Sequence, residues 1–105
     1  MYTFPELLKK IRSEASLTQE DLAKKLGVST VLITMIETGQ KEVSRGFIEK
    51  LAGVLDVHPS SITPFLFIKD DLNIKKLSST EKSLILIGEK LQNFLIKNRA
   101  KLLRL

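Results

Sequence analysis

Few side chains in this 105-residue sequence could carry catalytic or metal chemistry. The absence of cysteine excludes disulfides and thiolate metal sites, and the single histidine excludes a multi-imidazole site within one chain. We find no glycine-rich phosphate loop, no nucleophile beside a base and no spaced carboxylate pair beyond ordinary surface charge. His58 precedes a proline and is expected to be a loop or capping residue. We therefore expect neither an enzyme nor a cofactor.

The remaining chemistry is that of charge and hydrogen bonding, and the charge is unevenly distributed. A net charge of +5 favours a polyanionic partner. Residues 1–66 hold eight basic and eight acidic side chains, whereas residues 67–105 hold nine basic and four acidic ones. Because the larger, N-terminal part is neutral, net charge gives only weak support for nucleic-acid binding there, and local clustering must provide the rest.

The polar residues in the middle of the chain stand on two predicted short helices joined by a tight turn. Thr18 is a suitable N-cap for the first helix, and Gly27 favours the left-handed conformation that ends it. Ser29 can cap the second helix, which runs to the next glycine, Gly39. So short a connection makes the helices cross steeply, and the small Ala23 lets them approach closely. This geometry is a helix-turn-helix, whose second helix can enter the major groove of DNA.

The same stretch resembles the Xre/Cro-type helix-turn-helix regulators, the family of the lambda repressor. The matching positions are Gln19, Ala23, Gly27, Ile33, Ile36, Glu37 and Gly39. The resemblance implies an all-α fold, with a five-helix lambda-repressor-like DNA-binding domain followed by a long C-terminal helix. It also implies a sequence-specific transcriptional regulator that binds double-stranded DNA, most often as a homodimeric repressor. Many small members are antitoxins of toxin–antitoxin pairs, so a toxin or other protein partner is included.

The family also implies which residues contact DNA. Carried over by position, they are Gln19, Ser29, Thr30, Val31, Thr34, Met35, Lys41 and Arg45. Gln19 would bind phosphate, the residues of the second helix would face the groove, and Lys41 and Arg45 would hold the second strand. This groove face lacks the Arg, Asn, Gln and Lys side chains that make bidentate base contacts. We therefore expect either T-rich half-sites read partly by DNA shape, or a surface whose partner is a protein.

Further helices are predicted on both sides of this motif. Pro5 suits the first turn of a helix over residues 5–14, Ser44 can cap a fourth helix that ends near Asp56, and Pro59 can start a short fifth helix. We expect a DNA-binding domain over residues 1–66 and a connector over 67–77.

Residues 78–105 are predicted to form an amphipathic C-terminal helix. Ser78 and Glu81 fit a capping box, which starts a helix expected to run to Leu103. Its apolar stripe has a heptad-like spacing with one polar break, and we expect it to mediate dimerisation through Leu84, Ile87, Leu91, Leu95, Asn98 and Leu102. The pairing could be a coiled coil or a helical bundle between subunits. The alternative is a helix that folds back over its own domain.

The remaining expectations concern location and function class. No secretion signal is recognised at the N-terminus, and no run approaches the roughly 18 apolar residues of a membrane span, so we expect a cytoplasmic protein without a membrane partner. The alternative to a DNA-binding regulator is a protein-interaction module that keeps the helix-turn-helix fold but binds a protein partner.

Overall fold

The computed structural model of this protein describes residues 1–67 and 78–104, which form an all-helical fold. The α-helices are α1 (Phe4–Glu14), α2 (Gln19–Leu26), α3 (Thr30–Glu37), α4 (Arg45–Leu55) and α5 (Ser79–Phe94). Two 3₁₀ turns follow α4, at Pro59–Ser61 and Thr63–Phe67, in place of the predicted short fifth helix. Apart from Phe67, the predicted connector lies outside the described residues. The predicted all-α fold class is confirmed.

The ends of the helices follow from capping residues. Thr18, Ser29, Ser44 and Ser78 were the predicted N-caps, and the side-chain oxygen of each accepts a backbone N–H from the first turn of its helix. Gly27 has a φ of 67° and ends α2 in the predicted left-handed conformation. These four helices therefore begin where local hydrogen bonding predicts.

The start of α1 was missed by one residue. Thr3 and Glu6 form a capping box, in which the Thr3 hydroxyl accepts the Glu6 N–H and the Glu6 carboxylate accepts the Thr3 N–H. The helix therefore begins at Phe4 rather than Pro5. Phe4 is buried as a result and joins the apolar face of α1.

One hydrophobic core lies between α1, α2, α3 and α4. Its fully buried larger side chains include Leu7, Leu8, Ile11, Leu22, Ile33, Ile36, Leu51 and Leu55. The C-terminal end of the chain joins the same core through Leu95, Ile96, Ala100 and Leu103, which pack against α1 and α4. The last part of the predicted tail is thus folded back on its own domain.

The fold-back is completed by polar side chains that bind the backbone of α1 and the residues before it. Gln92 is buried, and its amide group pairs with the backbone of Tyr2 at 2.9 Å from the Tyr2 N–H and 2.8 Å to the Tyr2 carbonyl. Arg104 donates to the carbonyls of Glu14 and Ala15 at the end of α1, each at 3.0 Å. A cationic side chain at this position satisfies carbonyls that the helix leaves without partners.

The predicted single helix over residues 79–103 is not uniform. After α5 the chain widens into a π-helical turn at Leu95–Arg99 and then tightens into a 3₁₀ turn at Ala100–Arg104. Residues 79–104 remain helical throughout, but Gln92 is the only buried residue of α5, and its apolar residues Leu84, Leu86 and Ile87 are exposed.

Candidate nucleic-acid interface

The helix α3 has one buried and one exposed side, and the predicted groove residues lie on the exposed side. Ile33 and Ile36 are fully buried, so α3 is held firmly against the core. Thr30, Val31 and Thr34 are exposed, with Val31 67% exposed. Helical spacing therefore brings these three predicted contacts together on one accessible surface.

The other two predicted residues of this region differ in accessibility. Ser29 is exposed, but its hydroxyl accepts the N–H of Leu32 and caps α3. Met35 is half-buried, and its carbonyl accepts the N–H groups of Gln40 and Lys41 at 2.8 and 3.2 Å. The backbone of the following loop is thereby closed onto the end of α3, with Gly39 in a left-handed conformation.

A bidentate ion pair joins α1 to α3. The Arg12 Nε and Nη2 atoms donate to the two carboxylate oxygens of Glu37 at 2.8 and 3.0 Å, and Nη1 donates to the Leu17 carbonyl at 2.9 Å. The Glu37 side chain is only 2% exposed. Sequence reasoning missed this pair, because the two residues lie 25 positions apart and no local pattern connects them.

Gln19 connects this ion pair to the exposed side of α3. Its Nε2 atom donates to Glu37 Oε1 at 3.2 Å, while its Oε1 atom accepts the hydroxyl of Thr34 at 2.8 Å. The predicted role of Gln19 was to bind phosphate. A side-chain amide has two N–H groups, and the bond to Glu37 uses one of them, so phosphate contact through the second stays a prediction.

The two predicted basic contacts lie beyond α3. Lys41 is exposed on the loop between α3 and α4. Arg45 begins α4, and its Nε atom lies 2.9 Å from the carboxylate of Glu49, with both side chains largely in solvent. Such an exposed pair contributes about 0–1 kcal/mol, so Arg45 can exchange Glu49 for a phosphate at little cost.

Acidic residues stand at the start of α2, where a phosphate would otherwise be favoured. The pKa of Asp21 lies below its ordinary value because its carboxylate accepts the backbone N–H of Thr18 and interacts with the Thr18 side chain. Asp21 and Glu20 are thus negative charges in the first turn of this helix. They stabilise the helix dipole but oppose an approaching phosphate.

The predicted dimerisation residues lie on different sides of the C-terminal helical segment. Leu84 and Ile87 are each 62% exposed, Asn98 is exposed, and Leu91 and Leu102 are half-buried. Leu95 is 0% exposed and packs in the core of its own chain, so it is corrected from an interface residue to a core residue. Helical spacing alone does not place it: on a regular helix Leu95 would lie about 20° from Leu84 and about 60° from the buried Gln92, between the two sides. Leu95 begins the π-helical turn that packs against α1, and this contact turns its side chain inward.

Comparison with known proteins identifies the family of the chain. The helix-turn-helix family profile matches residues 8–62. An uncharacterised HTH-type transcriptional regulator of Bacillus subtilis (strain 168), YqaE, is 37% identical over 54 residues, which cover 51% of this chain and 47% of that protein. The chain thus spans about half the length of this curated relative.

The family match is one of sequence, and no solved structure matches the chain significantly. Among residues 1–67 and 78–104, no helix is both long and apolar enough to cross a membrane. The family match covers more than half of the chain and includes α2, α3 and the turn between them. The chain belongs to the helix-turn-helix family of the Xre/lambda-repressor-like type.

Proposed function

We propose that this protein is a transcriptional regulator that binds double-stranded DNA in a sequence-specific manner and acts as a homodimeric repressor. The observation that carries the proposal is the exposed side of α3, where Thr30, Val31 and Thr34 lie together while Ile33 and Ile36 fix the helix to the core. A helix so exposed and so held can lie in the major groove. Membership of the helix-turn-helix family supports the same function.

Binding to the DNA backbone would use groups around α3. The N–H groups at the start of α3 carry the positive end of the helix dipole. Lys41 and Arg45 add side-chain charge on the loop that follows and at the start of α4. Because residues 1–66 have no net charge, these local groups would supply the attraction to phosphate.

A second copy of the chain would compensate for weak base contacts. The groove side of α3 offers threonine hydroxyls and apolar side chains rather than bidentate donors, so each half-site would bind with modest affinity. Two half-sites held one helical turn apart add their binding energies. The outer stripe of α5, formed by Leu84, Ile87 and Leu91 with three- and four-residue spacing, supports pairing between two copies.

Selection from a pool of random DNA duplexes tests the proposal. The folded protein is expected to enrich an inverted repeat with T-containing half-sites after several rounds at moderate salt. Circular dichroism on the same preparation establishes that the protein is helical. A folded protein that enriches no sequence would contradict DNA-binding regulation and favour the protein-interaction module.

Lys41→Ala separates phosphate contact from base reading. The variant should bind all sequences more weakly, and the slope of log K against log salt concentration should fall by about one unit, since one phosphate contact is lost. Lys9→Ala, on exposed α1 surface, serves as the matched control and should keep the full slope. An unchanged slope for Lys41→Ala would remove Lys41 from the interface.

A second candidate function is favoured by one observation. Val31 is 67% exposed at the centre of the predicted recognition surface, and a large apolar side chain there also suits a protein partner. In that case α3 would bind a protein instead of DNA. An antitoxin would combine DNA binding with the binding of a protein, its toxin. A toxin gene beside the reading frame would support this role.

A further inference from the structure

Thr34 lies on the exposed side of α3, and a hydrogen bond to Gln19 within the protein fixes the direction in which its hydroxyl group donates. We propose that Thr34 is a specificity-determining residue that acts as a hydrogen-bond acceptor and selects, in each half-site, a base with an exocyclic amino group. The inference rests on the proposed DNA binding and deepens it by assigning the class of base that one side chain prefers. It depends on a chain of hydrogen bonds from Arg12 to Thr34.

The first step fixes the amide of Gln19. The Glu37 side chain is almost fully buried, and its two carboxylate oxygens accept hydrogen bonds from Nε and Nη2 of Arg12, so this carboxylate serves as an acceptor towards its neighbours. The Gln19 group 3.2 Å from Glu37 Oε1 must therefore be the NH₂ group. The reverse orientation would place a carbonyl oxygen against a carboxylate oxygen, which is repulsive. The Gln19 carbonyl consequently faces α3.

The second step fixes the hydroxyl of Thr34. The Gln19 carbonyl oxygen can only accept, so the Thr34 hydroxyl, at 2.8 Å, donates its single hydrogen to it. The nearest other partner is the backbone carbonyl of Thr30, at 3.2 Å, which is also an acceptor. Either bond uses the hydrogen within the protein. What the exposed hydroxyl offers outward is therefore its lone pairs.

The four bases differ in the hydrogen-bonding groups that they offer to the Thr34 hydroxyl. In the major groove, adenine and cytosine present amino groups that donate, whereas guanine and thymine present only acceptor atoms for hydrogen bonding. Thr34 can accept from an amino group and keep its bond to Gln19. To donate to guanine or thymine, it must give up that bond, which is worth roughly a three- to tenfold factor in affinity for a single neutral hydrogen bond.

The neighbours of Thr34 favour adenine over cytosine. Val31, one turn before Thr34, is exposed, and Met35, directly after Thr34, is half-buried. Both offer apolar contact to the methyl group of thymine. An adenine–thymine pair presents the amino group and the methyl group together in the major groove, so one base pair satisfies both features.

Selection with matched variants tests the inference. Wild type should enrich half-sites with a required adenine or cytosine at one position, Thr34→Val should lose that requirement, and Thr34→Ser, which keeps the hydroxyl, should retain it. Valine is the matched replacement because it keeps the β-branched shape. If the position that changes in Thr34→Val carries guanine or thymine, or if no position changes, the inference is overturned.

A base analogue measures the amino group itself. In the selected duplex, adenine is replaced by purine, which lacks the amino group, or cytosine is replaced by the analogue that lacks its amino group. The replacement should weaken wild-type binding roughly three- to tenfold and leave Thr34→Val binding unchanged. Equal losses in both proteins would exclude Thr34 as the contact. If folded wild type enriches no sequence, the proposed function itself fails, which is distinct from enrichment of sites indifferent to Thr34.

Discussion

The helix-turn-helix and the C-terminal segment, residues 92–104, are attached to the same core in different ways. The segment α2–α3 is held by buried apolar side chains and by one bidentate ion pair, between Arg12 and Glu37. The C-terminal segment is held by apolar side chains and by two polar ones, Gln92 and Arg104, that bind backbone groups. The charged anchor lies directly beneath the surface that would read DNA, so a defect there would alter binding as well as stability.

Removal of the ion pair tests the importance of this anchor and should have the largest effect. Arg12→Met leaves the Glu37 carboxylate buried and without its cationic partner, and breaking such a pair costs about 3–5 kcal/mol. We expect the free energy of unfolding, measured with urea, to fall by that amount. DNA affinity should fall in the same variant even where it remains folded, because Glu37, the hydrogen-bond partner of Gln19, is no longer held in place by Arg12.

The matched control is an exposed pair of the same type. Arg45→Met removes the cation from the Arg45–Glu49 pair, which lies on the surface of α4 and contributes about 0–1 kcal/mol. If the two variants lost the same stability, the Arg12–Glu37 pair would be no stronger than a surface pair, and the contrast between a charged anchor and ordinary surface charge would disappear.

In the C-terminal helical region, Leu95 lies in the core and Leu84 lies on the surface. Leu95→Ala should lower the free energy of unfolding by about 2–5 kcal/mol, because the truncation leaves a cavity in the core. Leu84→Ala, the same change on the outer side of α5, should alter it by less than about 0.5 kcal/mol at low protein concentration.

For self-association the order of the two substitutions should be reversed, with the larger effect from Leu84→Ala. In sedimentation equilibrium, Leu84→Ala should weaken the proposed dimer, since it removes apolar surface from the outer stripe. A Leu95→Ala variant of unchanged stability but weakened association would place Leu95 in the interface, as the heptad-like spacing predicts. That result would also mean that the fold-back of residues 95–103 does not persist in solution.

Sequence reasoning succeeded where a single neighbourhood determines the structure. Thr18, Gly27 and Ser29 act within three or four residues of themselves, so their roles as caps could be predicted from their types and spacing. Gln92 and Tyr2 lie 90 positions apart, and either face of an amphipathic helix can turn inward. Leu95 was therefore assigned to the outer stripe, because periodicity defines faces but does not specify which face meets the core.

In the candidate site, too, local features could be predicted from the sequence and long-range contacts could not. The exposure of Thr30, Val31 and Thr34 follows from helical spacing and could be predicted. The connection of Thr34 through Gln19 to Glu37 could not, because it depends on the distance between side chains of different helices. The available signal was Glu37, the only charged residue of α3, since a buried carboxylate requires a partner.

The crossing of α2 and α3 leaves room only for a small side chain at Ala23. Ala23→Leu should lower the free energy of unfolding by about 1–3 kcal/mol, because Ala23 is buried where α2 packs against α3 and a larger side chain would overfill that space. Lys25→Leu, on the exposed side of the same helix, is the matched control and should be close to neutral. An unchanged melting temperature for Ala23→Leu would contradict close packing at this crossing.

The smallest effect belongs to the capping boxes, which encode helix ends locally and do not depend on long-range docking. Hydrogen bonds from the backbone and the side chain of Thr18 lower the pKa of Asp21. Hydrogen bonds from the side chain and the backbone of Thr3 lower the pKa of Glu6. A carboxyl group whose pKa is lower in the folded state stabilises the fold fully above its unfolded pKa. That stabilisation is lost as the pH falls through the folded pKa.

Asp21→Asn should therefore be less stable than wild type at neutral pH, and the difference should shrink as the pH is lowered below the ordinary carboxyl value of 3.8 for Asp21. Urea unfolding at a series of pH values measures this difference. Glu6→Gln should behave alike at the start of α1, where the ordinary value is 4.5. A difference that stays constant with pH would mean that ionisation of the Asp21 carboxyl group does not strengthen the cap.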